Sequence, residues 1–127
     1  MALDAISTPT IVERIPPLHR SYWAINGNEA DASTAIEIKA APGVRRSLYI
    51  TAVVITCDDD DCDPVLQDED DNLLFGPFYA KVAGPIVIAK EFSKPIRLIA
   101  NKALEVKAAA AGTFSVWVEG ATAESGC

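Results

Sequence analysis

Period-two alternation is the feature that most constrains this chain. Ile36 and Ile38 alternate with Glu37 and Lys39, and Leu104 and Val106 alternate with Glu105 and Lys107. Phe114, Val116 and Val118 alternate with Ser115, Trp117 and Glu119, and Ser47 to Thr56 reads S-L-Y-I-T-A-V-V-I-T, rich in β-branched and aromatic residues. Successive side chains of a strand point to opposite faces, so alternation of this kind describes strands with one buried and one wet face, as in antiparallel sheets. Pro42-Gly43, Asp71-Asn72, Gly84-Pro85, Asn101-Lys102 and Gly112 punctuate these runs with turn residues.

The pattern predicts strands over 20–25, 34–40, 46–57, 64–69, 73–80, 85–91, 96–100, 103–108 and 113–119. Short strands at this spacing predict an all-β, antiparallel β-sandwich, of the jelly-roll type. Residues 102–111 contain a run of alanines that favours helix, but Leu104 and Val106 alternate and Gly112 opens the next strand. A strand and a tight turn are therefore expected there. Phe75 and Phe78 would fall on opposite faces unless Gly76-Pro77 forms a bulge, and that bulge is expected.

A chain of 127 residues suits one domain, long enough to bury a core without metal or disulfide support. The expected organisation is an extended N-terminal arm over 1–30, a sandwich domain over 31–121 and a loose tail over 122–127. Pro9, Pro16 and Pro17 interrupt regular pairing in the arm, although Thr8 to Val12 has the composition of a short strand. The arm either crosses a neighbouring subunit or folds on its own domain. Met1 to Pro16 lacks a basic start and an apolar core, so no secretory signal peptide is expected. No apolar run approaches a membrane span.

The net charge of −7 is unevenly placed. Nine of the 18 acidic residues lie between Asp58 and Asp71 with no Lys or Arg among them, leaving nine acids against 11 bases elsewhere. No basic stripe interleaved with aromatics is present, so neither nucleic acid nor membrane is an expected partner. The acidic run is either a solvated hairpin tip or a Ca²⁺ site drawn from Asp58, Asp60, Asp63, Asp68 and Asp70, without the glycine and terminal glutamate of an EF-hand loop. Cys57 and Cys62 flank Asp58 to Asp61 and form either a disulfide across a hairpin or two free thiols. Zinc would need His19 and Cys127 as well, and neither has ligand spacing.

Nucleophilic catalysis needs a base beside Ser or Cys. His19, the one histidine, lies in the proline-rich P-P-L-H-R, and no G-x-S-x-G, P-loop or dinucleotide-binding glycine pattern occurs. The expectation is a protein that is not an enzyme and carries no cofactor. Tyr22, Trp23 and Trp117 are the candidate interface residues. Trp117 falls on the face opposite Phe114, Val116 and Val118, and a large apolar residue on an outer face points to a covering partner or arm. The same aromatics are candidate stacking platforms for a sugar.

From about Val44 to Ala121 the chain resembles small β-sandwich proteins encoded among the structural genes of tailed bacteriophages. The resembling stretches are R-S-L-Y-I-T-A-V-V-I-T, V-L-Q-D-E-D-D-N-L-L-F-G-P-F-Y, K-P-I-R-L-I-A-N-K-A-L-E-V and G-T-F-S-V-W-V-E-G. The resemblance implies a virion component made in the bacterial host cytoplasm and seated on the capsid surface. Specifically, it implies a decoration or cement protein, a homotrimer whose partner is the major capsid protein. It brings no catalytic residues. The chain departs from the pattern at Asp58–Asp61 and the two cysteines around it. The alternative function is a virion-attached, glycan-binding adsorption module, with a Ca²⁺-dependent version that would use the acidic run.

Overall fold

The computed structural model describes residues 9–29, 33–57, 63–76, 86–108 and 113–125. Among them are nine strands: β1 Thr10–Ile11, β2 Ser21–Glu29, β3 Ile36–Lys39, β4 Arg46–Cys57, β5 Val65–Asp68, β6 Leu73–Phe75, β7 Ile86–Arg97, β8 Leu104–Lys107 and β9 Phe114–Glu124. Every pairing is antiparallel. One sheet has the order β1-β7-β4-β9-β2 and the other β3-β8-β5-β6, and the two pack together as a β-sandwich. From β2 onward the chain changes sheet at every connection except that between β5 and β6.

The core is the alternation realised. Val53, Ile55 and Cys57 of β4, Phe114, Val116 and Val118 of β9, Leu66 of β5, Leu74 of β6 and Leu104 and Val106 of β8 are all buried in one cluster. At the other end of β4 the buried residues are Leu48 and Ile50. The phase changes because Ile50 pairs with Gly120 while Ala52 pairs with Glu119, which leaves Thr51 as an extra residue on β4. This β-bulge moves the inward register from even to odd positions, so both halves of the strand face the core. On the other side of β4 the register jumps from Ile96 to Glu91, and the slack in β7 lets Phe92 meet Phe75 of β6 edge to face, with centroids 5.4 Å apart.

Several expected boundaries move. The strands expected over 85–91 and 96–100 are one strand, β7, ending at Arg97. Pro95 is accommodated because it falls in the register jump between Glu91 and Ile96, where the ladder to β4 asks for no N–H, while its carbonyl accepts from Val12 N at 2.9 Å. The tail expected from 122 is in part sheet. β9 runs to Glu124; its Gly120-Ala121-Thr122 segment pairs with both β4 and β2, and Ala123 with β4. Small side chains permit this, since β9 is here sandwiched between two strands and under the N-terminal segment. Gly120 does not close the strand but sits within it: a Cβ there would overlap the Tyr49 carbonyl oxygen and lie 2.9 Å from the Trp23 ring. Residues 104–107 are strand.

The arm expected over 1–30 is likewise in part sheet. β2 pairs with β9 along its whole length, from Ser21↔Thr122 to Glu29↔Phe114. Before it, β1 adds two residues to β7, and Ile15 is buried against Tyr49, Ala121 and Ala123, with Val12 beside them. Residues 9–20 thus lie on their own sheet, covering one half of its outer face. Phe78 lies outside the described residues. Gly76 has φ +97°, a left-handed backbone that suits glycine at the expected bulge.

Candidate interaction surface

Among the described residues nothing covers the other half of that outer face. Cross-strand neighbours share a face, so the pairings list its rows directly. Val54 lies between Ala89 and Trp117, Thr56 between Val87 and Ser115, and Ala52 between Glu91 and Glu119. Val87 is 69% exposed, Trp117 40% and Val54 37%. Together with exposed Ala89 they form a contiguous apolar patch. Polar groups rim it: Thr56 and Ser115, whose hydroxyls are 2.6 Å apart, Asn26 beside Trp117, and Glu91 and Glu119.

A depression of about 440 Å³ lies within the patch, lined by Val54, Ala89, Lys90, Glu91, Trp117 and Glu119. Glu91 and Glu119 flank the same residue of β4, so their backbones are about 9–10 Å apart, two strand spacings. This pairing of an aromatic ring with two strand-borne carboxylates was not among the sequence candidates. It is legible in V-I-A-K-E-F and V-W-V-E-G only once β4 is known to separate β7 from β9.

The three aromatic candidates do not converge. Tyr22 is on the outer face, 69% exposed, with the Arg20 guanidinium 5.4 Å from its ring centre. Trp117 is on the same face. Trp23 points the other way, against the core cluster, with Lys39 Nζ 5.6 Å from its ring centre and its indole nitrogen buried without a hydrogen-bond partner. Its role is to close the seam between the sheets, not to present a platform.

The acidic run divides into two parts. Asp58, Asp60 and Cys62 lie outside the described residues. Asp68 to Asn72 form a turn ordered by its own hydrogen bonds, with Asp68 buried at its base and residues 69–72 exposed. Asp68 is 1% exposed. Its Oδ1 accepts from Asp70 N at 2.9 Å and Asn72 N at 3.0 Å, and its Oδ2 from Asn72 Nδ2 at 2.9 Å. Glu69 Oε1 accepts from Ala103 N at 2.8 Å, Asp71 accepts from Gln67 Nε2 at 2.8 Å, and Asp70 pairs with Lys102 at 2.9 Å. That carboxylate, with those of Glu69 and Asp68 near it, raises the Lys102 pKa, the Asp70 hydrogen bond contributing most.

The Ca²⁺ set expected from sequence is therefore not assembled by its described members: Asp68 spends its lone pairs on N–H donors, and Asp70 holds a lysine. Among the described residues no three His, Cys, Asp or Glu side chains are grouped to hold a metal. His19 sits in a left-handed turn with φ 58°, exposed. Cys57 is buried in the inward register at the end of β4 and is disulfide-bonded. The other cysteines, Cys62 and Cys127, lie outside the described residues.

No protein-family model matches this sequence, and no curated protein matches it.

Proposed function

We propose that this protein is a structural attachment module, a capsid decoration protein that binds the outer shell of a tailed phage through the open half of its five-stranded sheet. The observation that carries the reading is the exposed Val54–Val87–Ala89–Trp117 patch. Scattered apolar residues are ordinary on a surface, but a contiguous patch with a polar rim marks an interaction site. The strand order β2-β9-β4-β7 over β3-β8-β5-β6, with β1 as an addition, is the one we read as a jelly roll, an architecture used by capsid and lectin domains. Attachment in many copies lets modest contacts add up across a shell, with avidity replacing high single-site affinity.

The test uses emptied capsids of the phage that encodes the protein. Full-length protein is expected to bind them and raise their disruption temperature. Val87→Lys and Trp117→Lys, both at exposed positions, are expected to fold normally and to lose binding. Unchanged capsid stability with wild-type protein, or undiminished binding by both variants, overturns the proposal. Removing residues 1–20 is not a clean test of binding, because Ile15 covers Tyr49 and Ala121.

The depression beside Trp117 favours one second reading. An indole face flanked by Glu91 and Glu119 offers a stacking surface and hydroxyl-accepting carboxylates, the chemistry of sugar recognition. In that case Trp117→Ala and Glu91→Gln would remove glycan binding and Trp23→Ala would act only through stability.

A further inference from the structure

The sandwich manages its sheet edges unequally. β6 is three residues long and β3 four, and β3 carries Glu37, Lys39 and a register shift. The free stretch of β7 has Lys90 in the inward register opposite Val53, followed by Glu91 and Lys94. Shortness, inward charge and bulges all blunt an edge against pairing. β2 is neither short nor bulged, and its one charge, Glu29, comes only at its last residue. Its nine residues, S-Y-W-A-I-N-G-N-E, include no Lys, Arg or Pro. Among the described residues it pairs only with β9, so about half of its backbone N–H and C=O groups face away from that partner.

A second, independent feature lies beside this edge. The inward register of β2 runs Trp23, Ile25, Gly27 and, at its end, Glu29, since these pair with Gly120, Val118, Val116 and Phe114. Trp23 and Ile25 fill the seam between the sheets, and Lys39 lies over Trp23. Gly27 fills nothing: a Cβ there would meet no atom within 4 Å. The result is an apolar notch of about 110 Å³ between β2 and β3, lined by Ile25, Ile36, Ile38, Val106, Phe114 and Val116. Glu29 and Glu37 stand exposed at its mouth.

We propose that the β2 edge binds an extended segment of another protein by strand addition. One aliphatic side chain of that segment enters the notch beside Gly27, and basic residues flanking it meet Glu29 and Glu37. In strand addition the main-chain hydrogen bonds supply affinity and pockets for alternate side chains supply specificity, and this edge provides both. The two carboxylates select a Lys- or Arg-flanked segment and disfavour an acidic one. The site is separate from the outer-face patch, so either can fail without the other.

The experiment uses full-length protein and a blocked peptide of alternating Thr and Val with Lys at both ends. Binding is followed by calorimetry and by amide hydrogen exchange of 21–29. Saturable protection of β2 amides is expected, as is binding at least about tenfold weaker for the same peptide ended in Glu. Gly27→Val, which fills the notch into open space, is expected to keep or raise the melting temperature while weakening binding about tenfold or more. Glu29→Lys with Glu37→Lys is expected to reverse the preference to the Glu-ended peptide. The proposal is overturned if β2 amides stay unprotected, or if neither substitution changes binding. Concentration-dependent protection of β2 without peptide would also overturn it, since a second copy would then occupy the edge.

Discussion

At the scale of single residues, Asp68 and Gly120 have the sharpest consequences. Asp68 looks in the sequence like one member of an acidic run, yet it is buried and takes three N–H donors. An amide in its place offers one acceptor oxygen and turns its own N–H₂ toward donors. Asp68→Asn is therefore expected to cost about 1–3 kcal/mol in urea unfolding, whereas Asp70→Asn, which gives up a partly exposed ion pair, should cost at most about 1 kcal/mol. Gly120→Ala pushes a methyl group into the Tyr49 carbonyl and the Trp23 ring. Both are held in the sheet, so the expected loss is about 3 kcal/mol or more, read as a lowered urea midpoint. Neither role was legible from residue type. Burial of Asp68 follows from how the β5–β6 hairpin closes against the loop at Ala103, and Gly120 matters because two strands and a ring meet above it.

At the scale of elements, the central strands were legible and the marginal ones were not. β4, β5 and β8 alternate strongly, and their positions follow from periodicity to within a residue or two. In β7, Lys90 in the inward register and Ser93 and Pro95 in the middle interrupt the local pattern that the pairing joins into one strand. In β2, Asn26, Gly27 and Asn28 are turn formers in isolation, yet full pairing with β9 holds them extended. The N-terminal segment behaves as part of this sheet, and Ile15 is its anchor. Ile15→Ala is expected to cost about 2–4 kcal/mol by opening the surface over Tyr49, Ala121 and Ala123. Ile11→Ala, at a residue 59% exposed, should change stability by less than about 0.5 kcal/mol. Chemical denaturation of the two variants side by side checks the contrast.

At the scale of the molecule, the two faces of the five-stranded sheet do different work. One builds the core, and the other is half covered by the chain's own N-terminal segment and half open. Tyr49 belongs to the covered half, and its hydroxyl donates to the Glu124 carbonyl at 2.5 Å. Burial raises its pKa above 10.0, with the nearby Arg97 opposing that shift. A group whose folded pKa is raised contributes stability that is lost as pH climbs from the unfolded value through the folded one. The melting temperature is therefore expected to fall from about pH 10 upward more steeply in wild type than in Tyr49→Phe. Thermal melts between pH 8 and 11.5 measure the difference, and equal slopes would remove Tyr49 as the cause. Charge also reads differently at this scale. Of the nine acids in the 58–71 run, Asp68, Glu69, Asp70 and Asp71 are engaged in turn geometry, a loop contact, a lysine and Gln67, so that four of them carry intramolecular contacts.

The all-β class, the inward-facing residues of the central strands and the absence of helix at 104–107 can all be read from the chain's alternation, because a strand's two faces are written in it. It also placed Trp117 on the outer face. Strand pairing was needed to turn Trp23 inward, to set Glu91 and Glu119 on either side of a common depression, and to leave a notch at Gly27 beside a long edge strand. Those features depend on which strands become neighbours. Pairing joins residues far apart in sequence, and period two carries the face of a residue but not the identity of its partner.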